Sequence, residues 1–114
     1  MALNTKTYQP LQSLTILSTD VLPAFRFVNY AGMLCGNNKR AIGVTEVDWL
    51  PEQYAQVVAL GTMTVEAATA ITRGDNVTSA ADGKARKANT GEIVNGRALE
   101  NAVSGGFVKI KLVP

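Results

Sequence analysis

Between Phe107 and Leu112 apolar and charged residues alternate: Val108, Ile110 and Leu112 fall on one face of an extended chain, Lys109 and Lys111 on the other. That is the period of a half-buried strand. Residues 62–67 repeat it, with Met63, Val65 and Ala67 opposed by threonines and Glu66. Shorter runs of β-favouring residues occupy 14–17, 25–28, 41–44 and 54–58, separated by Gly, Pro, Asn or Asp. Asp82-Gly83 joins the runs 77–81 and 84–88. This dipeptide tolerates the positive φ that a two-residue hairpin turn needs, and such a turn predicts Val77 opposite Ala88, Ser79 opposite Arg86 and Ala81 opposite Lys84.

Two stretches read less simply. Leu50-Pro51-Glu52-Gln53 places Pro where a short helical turn would begin. Residues 97–103 fit either one helical turn or a strand leading into a loop; the preferred reading is a strand over 93–99 and a loop over 100–106, although Asn95-Gly96 alone would signal a hairpin. Residues 1–12 have no period and contain Pro10, which predicts an arm outside the main sheet. The expected fold is all-β: a small β-barrel or β-sandwich with an extended N-terminal arm (1–12), a single β domain (13–114) and at most one short helical turn.

Composition narrows the function more than the fold. A chain of 114 residues buries roughly two thirds of its unfolded surface as one domain, without needing a metal or disulfide. The net charge of +2 is mild and its cations are scattered, apart from Lys39-Arg40 and the arm with Lys84, Arg86 and Lys87. A nucleic-acid footprint needs a denser stripe interleaved with aromatics, so no nucleic-acid partner is expected. No basic segment leads into an apolar one at the start, and no window has the length of a membrane span, so no membrane partner is expected either and the chain reads as soluble and cytoplasmic when made. With one cysteine, Cys35, there is no internal disulfide, and a small buried hydrophobe is its expected role.

Candidate chemistry is sparse. There is no histidine, which removes the commonest general base and the commonest metal ligand together, and no catalytic, cofactor-binding or metal site is expected. Arg73-Gly74-Asp75 is the tripeptide that integrins read when an exposed loop offers the carboxylate. Lying between two strands, it reads first as a turn: Gly74 supplies the corner and Asp75 bonds the turn backbone through its side chain. Glu46-Val47-Asp48-Trp49 would set two carboxylates beside an aromatic platform, as a glycosidase or lectin uses them, yet carboxylates so spaced commonly sit on a solvated strand end, and Trp49 suits a core or an interface. A soluble binding module acting through Asp75 or near Trp49 is the alternative class.

From Ala41 on, the order of short signals is Ala-Ile-Gly-Val-Thr-Glu, Val57-Val58-Ala59-Leu60-Gly61, Val65-Glu66-Ala67, 70–77 around the Gly-Asp corner, Asp82-Gly83-Lys84-Ala85, 94–100, and Gly106 through Leu112. Taken together over about residues 30–113, this order resembles the capsid cement, or head decoration, proteins of tailed bacteriophages in the DUF2190 family. The resemblance implies a non-enzymatic β-barrel or β-sandwich without cofactors, made in the host cytoplasm and bound to the outer surface of an expanded icosahedral phage head, often as a trimer. Its partners would then be the major capsid protein and itself. In that family the stretch matching 71–77 is a turn with Gly then Asp, and nothing particular is asked of Arg73. Residues 21–38 depart from the pattern as a longer loop. The residues expected at a capsid or subunit interface are Leu3, Tyr8, Pro10 and Leu11 of the arm, with Trp49 and Tyr54.

Overall fold

The computed structural model describes residues 8–113. Eight strands follow one another: β1 (Pro10–Leu17), β2 (Phe27–Val28), β3 (Gly43–Thr45), β4 (Tyr54–Glu66), β5 (Asn76–Ser79), β6 (Ala85–Lys87), β7 (Gly96–Ala98) and β8 (Phe107–Leu112). Seven of them run in the order β2-β3-β4-β8-β7-β5-β6, and β1 adds to β4. The far end curls back on β4: Ala67 bridges Ala85, and Ala68 N–H donates to the Ala85 carbonyl at 2.7 Å. The result is a nearly closed barrel with an N-terminal strand laid on its longest member.

β4 organises the molecule. Its first half pairs with β1 and β3, its second half with β8. The runs 54–58 and 62–67 are thus one bent strand of 13 residues rather than two. The break in the sequence pattern has a local cause. Gly61 has φ +106°, and a Cβ there would overlap the Gln9 carbonyl oxygen, so a residue without a side chain marks the bend where β1 crosses closest.

Adjacent residues serve two cores. Phe27, Val44 and Val58 join Met63, Val65, Val77, Val108, Ile110 and Leu112 inside the barrel, while Val28, Ala55 and Val57 pack with Leu22 in a second cluster on the other side of the β2-β3-β4 sheet. A strand buried on both faces reads as a continuous apolar pair, which is why Phe27-Val28 and Val57-Val58 show no alternation. Trp49, Ile16, Leu34 and Ile42 cover the second cluster.

Several sequence expectations change. The turn at Asp82-Gly83 has the expected chemistry, with φ +61° and +71°, but it lies in a short 3₁₀ turn (Ala81–Gly83) and Ala80 N–H reaches the Lys84 carbonyl at 2.6 Å. One extra residue on that side slips the ladder, so Val77 faces Lys87, Thr78 faces Arg86 and Ser79 faces Ala85. Asn95-Gly96 is no hairpin, because Asn95 is buried with its amide bonded to Lys39 and Ala41, and Gly96 lies under Ile110 within β7. Leu50-Pro51-Glu52-Gln53 is a turn with Glu52 at φ +65°, tied to β1 by Glu52 N–H to the Ser18 carbonyl and Ser18 N–H to the Gln53 carbonyl.

β1 starts at Pro10, so residues 10–12 of the expected arm are paired with β4. Ahead of them, Gln9 N–H donates to Thr62 Oγ1 at 2.7 Å and the Gln9 carbonyl accepts from Thr62 N–H at 3.0 Å. Tyr8 packs edge-on against Phe25, whose ring does the same against Phe107. An irregular spacing of Tyr8, Pro10 and Leu11 hid this strand, because register shifts between Pro10 and Ser13 break the alternation. Leu3 lies outside the described residues.

Candidate docking surfaces

Arg73-Gly74-Asp75 is a tight corner between Ile71 and β5. Gly74 has φ +93° with open space around it, Asp75 N–H donates to the Thr72 carbonyl, and Asp75 Oδ2 accepts from Thr72 N–H at 3.0 Å. The corner is anchored from outside as well: Arg73 N–H donates to Asn101 Oδ1 at 2.7 Å, and Arg97 Nε donates to the Gly74 carbonyl at 3.0 Å. The carboxylate that a receptor would need is engaged in holding the turn. Asp75→Ala is expected to cost about 0.5–2 kcal/mol in thermal or urea unfolding, and Asp75→Glu to destabilise too, since the longer side chain misses the same amide. Unchanged melting in both variants together with lost cell adhesion would support a receptor ligand instead.

The other candidates for chemistry disperse. Asp48 Oδ1 accepts from Ala24 N–H at 2.7 Å, which holds the chain beside β2, and Trp49 is half-buried over the second cluster with its backbone bridged to Leu22. Its ring is packing material rather than an open platform. Cys35 is fully buried, and burial pushes its thiol up to about 11, so a thiolate is disfavoured there. Among the described residues no group of three or more His, Cys, Asp or Glu is placed to hold a metal ion, and no helix is long and apolar enough to cross a membrane. The shortest ion pair among the described residues is Arg86 with Glu92, at 2.6 Å. Its hydrogen bonds, with that from Asn89 N–H, hold the Glu92 carboxyl down at about 2.

What the fold leaves uncovered is apolar surface. β1 is an edge strand: among the described residues no other strand lies along its outer side, and its sequence, Pro-Leu-Gln-Ser-Leu-Thr-Ile-Leu, contains no charge. Proteins usually blunt such edges with Lys, Pro or a bulge; here Pro10 and the irregular register protect only the first half. Beside β1 a groove of about 410 Å³ is lined by Leu14, Leu60, Tyr30, Ile42 and Ala59, with Gln12 and Arg40 at its margin. Leu11 and Tyr30 project into solvent, 74% and 72% exposed. Leu11 lies on the edge strand and Tyr30 on a turn that flanks the groove, and exposed apolar side chains grouped in this way are the kind of surface through which proteins meet partners.

A second uncovered region lies at the other end of β1. Leu17 faces Tyr54 directly across the β1–β4 ladder, and Tyr54 is 73% exposed. The Ser18 hydroxyl donates to the Leu50 and Gln53 carbonyls, which brings exposed Leu50 to this end of β1, and Val21, a few residues past Ser18, is exposed as well. Of the residues expected at an interface, Leu11 and Tyr54 are therefore at the surface, Pro10 opens the edge strand, and Tyr8 and Trp49 pack within the domain. Leu14, Leu17, Tyr30, Leu50 and Leu60 were not anticipated. Nothing in their local pattern separates them from core positions, because only the pairing of β1 with β4 leaves them uncovered.

The family described as phage cement protein matches residues 8–112. Among solved structures, the crystal structure of the head fiber gp8.5 N base in bacteriophage phi29 is similar, with a TM-score of 0.77 and 25% identity over 90% of this chain and 93% of that one. No match is found among curated proteins. The matched span runs from Tyr8, which packs on Phe25, to Leu112, where β8 ends, and over that span this chain belongs to the phage cement protein family as a virion structural protein.

Proposed function

We propose that this protein is a non-enzymatic cement protein that binds the outer surface of an icosahedral phage head, with the major capsid protein as its partner, and stabilises the shell as a trimer after synthesis in the host cytoplasm. The observation that carries the reading is the uncharged edge strand β1 with the apolar groove beside it, lined by Leu14, Leu60 and Tyr30. A decoration protein works by burying surface across subunit boundaries, and modest contacts suffice when many identical copies make them. Family membership and the likeness to a head-fiber base support a place on the head. The narrower placement among DUF2190 proteins rests on the order of short motifs alone.

The test is binding to undecorated heads of the same phage. Leu11→Asp and Tyr30→Asp change residues that are mostly solvent-exposed, so both variants are expected to melt like the parent. A charge on a contact that must lose water costs several kcal/mol, so each variant is expected to be retained on heads at least ten-fold less well. Retention equal to that of the parent would move the shell contact elsewhere, and failure of the parent itself to bind would sink the cement reading.

A further inference from the structure

The barrel carries two surfaces that are unmatched on their own and complementary to each other. One is the outer face of β7 and β8. Arg97 lies directly opposite Lys111 in the ladder, and Lys109 follows on the same face two residues earlier. Like charges set opposite one another destabilise a sheet. The nearby acids do not relieve them: Glu100 accepts from the Lys109 backbone, Asp75 holds its own turn, and Glu66 is paired with Arg26 and Lys84. Among the described residues neither Arg97 nor Lys111 has an ion-pair partner. Arg97 donates only its Nε inward, to the Gly74 carbonyl, which holds the guanidinium in place over the sheet. Exposed Leu99 and Phe107 share this face, so it is both cationic and apolar.

The other surface is the end of β1, where Leu17, Val21, Leu50 and Tyr54 are exposed. Two acids belong to this end: Glu52, whose N–H donates to the Ser18 carbonyl, and Asp20, whose Oδ1 accepts from Val21 N–H, and neither is in an ion pair among the described residues. Between Gln9 and Thr72 the only cations are Arg26, Lys39 and Arg40, and none of them falls in the stretches 17–22 and 47–54 that build this end. The end is therefore apolar and acidic.

We propose that copies of this chain join head to tail, with the acidic apolar end around Leu17 and Tyr54 of one copy seated on the cationic outer face of β7 and β8 of the next. The occupant is a second copy because the complementary partner of each surface is present on the same chain. Pairing either surface with its own kind would set like charges together, which disfavours a two-fold contact centred on one surface alone. A head-to-tail contact closes into a ring or runs on, and a ring of three is the closed form that suits the proposed trimer. The inference rests on the self-association in that reading and not on shell binding.

The experiment is sedimentation velocity of the free chain and two charge-reversed variants. The parent is expected to associate at high concentration in low salt and at least ten-fold more weakly in high salt, since exposed charges are screened. Arg97→Glu with Lys111→Glu makes both surfaces acidic, and Asp20→Lys with Glu52→Lys makes both basic, so each double variant is expected to sediment as a monomer. Mixed in equal amounts they regain complementarity wherever the two variants meet, at two of the three contacts of a ring of three, and are expected to form an associated boundary that neither variant forms alone. A parent that stays monomeric at every concentration and salt, reversed variants that associate like the parent, or a mixture that stays monomeric would each overturn the proposal. If a reversed variant melts below the parent, the neutral pairs Arg97→Gln with Lys111→Gln and Asp20→Asn with Glu52→Gln replace it; each must weaken association and flatten its salt dependence, and parent-like association overturns the proposal here too. Head binding is read separately, so a chain that self-associates without binding heads keeps this inference and loses the cement reading, and the converse result does the opposite.

Discussion

Phe27→Ala is expected to destabilise the protein by about 3–5 kcal/mol, the usual cost of emptying a large buried aromatic site. Phe27 is fully buried and is the largest of the fully buried side chains, so its removal leaves a cavity in the barrel rather than a surface dent. Its backbone leaves little room for collapse. Cys35 N–H donates to the Phe27 carbonyl at 3.0 Å, Val44 holds it in the ladder, and Gly83 is a glycine because a Cβ would press on that same carbonyl oxygen. Since a domain of this size has only about 5–15 kcal/mol in total, the variant should sit near the edge of folding at physiological temperature. Urea unfolding monitored at Trp49 and by far-ultraviolet circular dichroism is the measurement. Val28→Ala, one residue along but in the smaller second cluster, should cost less. A Phe27→Ala cost near zero would mean that the barrel core is not packed as described.

Removing residues 2–11 is expected to lower stability by about 2–4 kcal/mol, the reverse of what an arm outside the sheet would do. The deletion removes the Tyr8 ring from Phe25, a contact of about 0.5–1.5 kcal/mol for an edge-on aromatic pair. It also removes both hydrogen bonds between Gln9 and Thr62, at about 1 kcal/mol each. For a chain of this length each kcal/mol is roughly several degrees of melting temperature, so the truncated protein should melt about 10 °C lower. Tyr8→Ala alone should show the aromatic part of the loss. A truncated chain that melts like the parent would restore the arm to a purely intermolecular role.

The candidate surfaces were only partly legible in the sequence. Leu11 and Tyr54 were anticipated and are exposed, while Tyr8 and Trp49, chosen with them, are partly buried against the domain's own clusters. Both rings are partly buried at the margins of the two clusters, and an aromatic ring with a polar tip suits an interface and a core margin equally well, so local pattern cannot tell them apart. Lys109 and Lys111 could be placed on one outward face from alternation alone. That Arg97 stands opposite Lys111 could not, because it depends on which strand neighbours β8 and in what register.

What the sequence determined by itself was therefore the local part of the architecture: an all-β chain, the strand Phe107–Leu112 to the residue, the positive-φ corner at Asp82-Gly83, and the turn chemistry at Gly74 and Asp75. Each of these follows from side-chain period or backbone sterics within a few residues. Contacts between distant parts of the chain make 54–58 and 62–67 one strand, send Phe27 and Val28 into different cores, slip the β5–β6 ladder by one, and set Tyr8 on Phe25. The physical reason is common to all four. Alternation is legible only where one face of a strand is wet, whereas bends, slips and strands buried on both sides are chosen by contacts with residues far away in the chain.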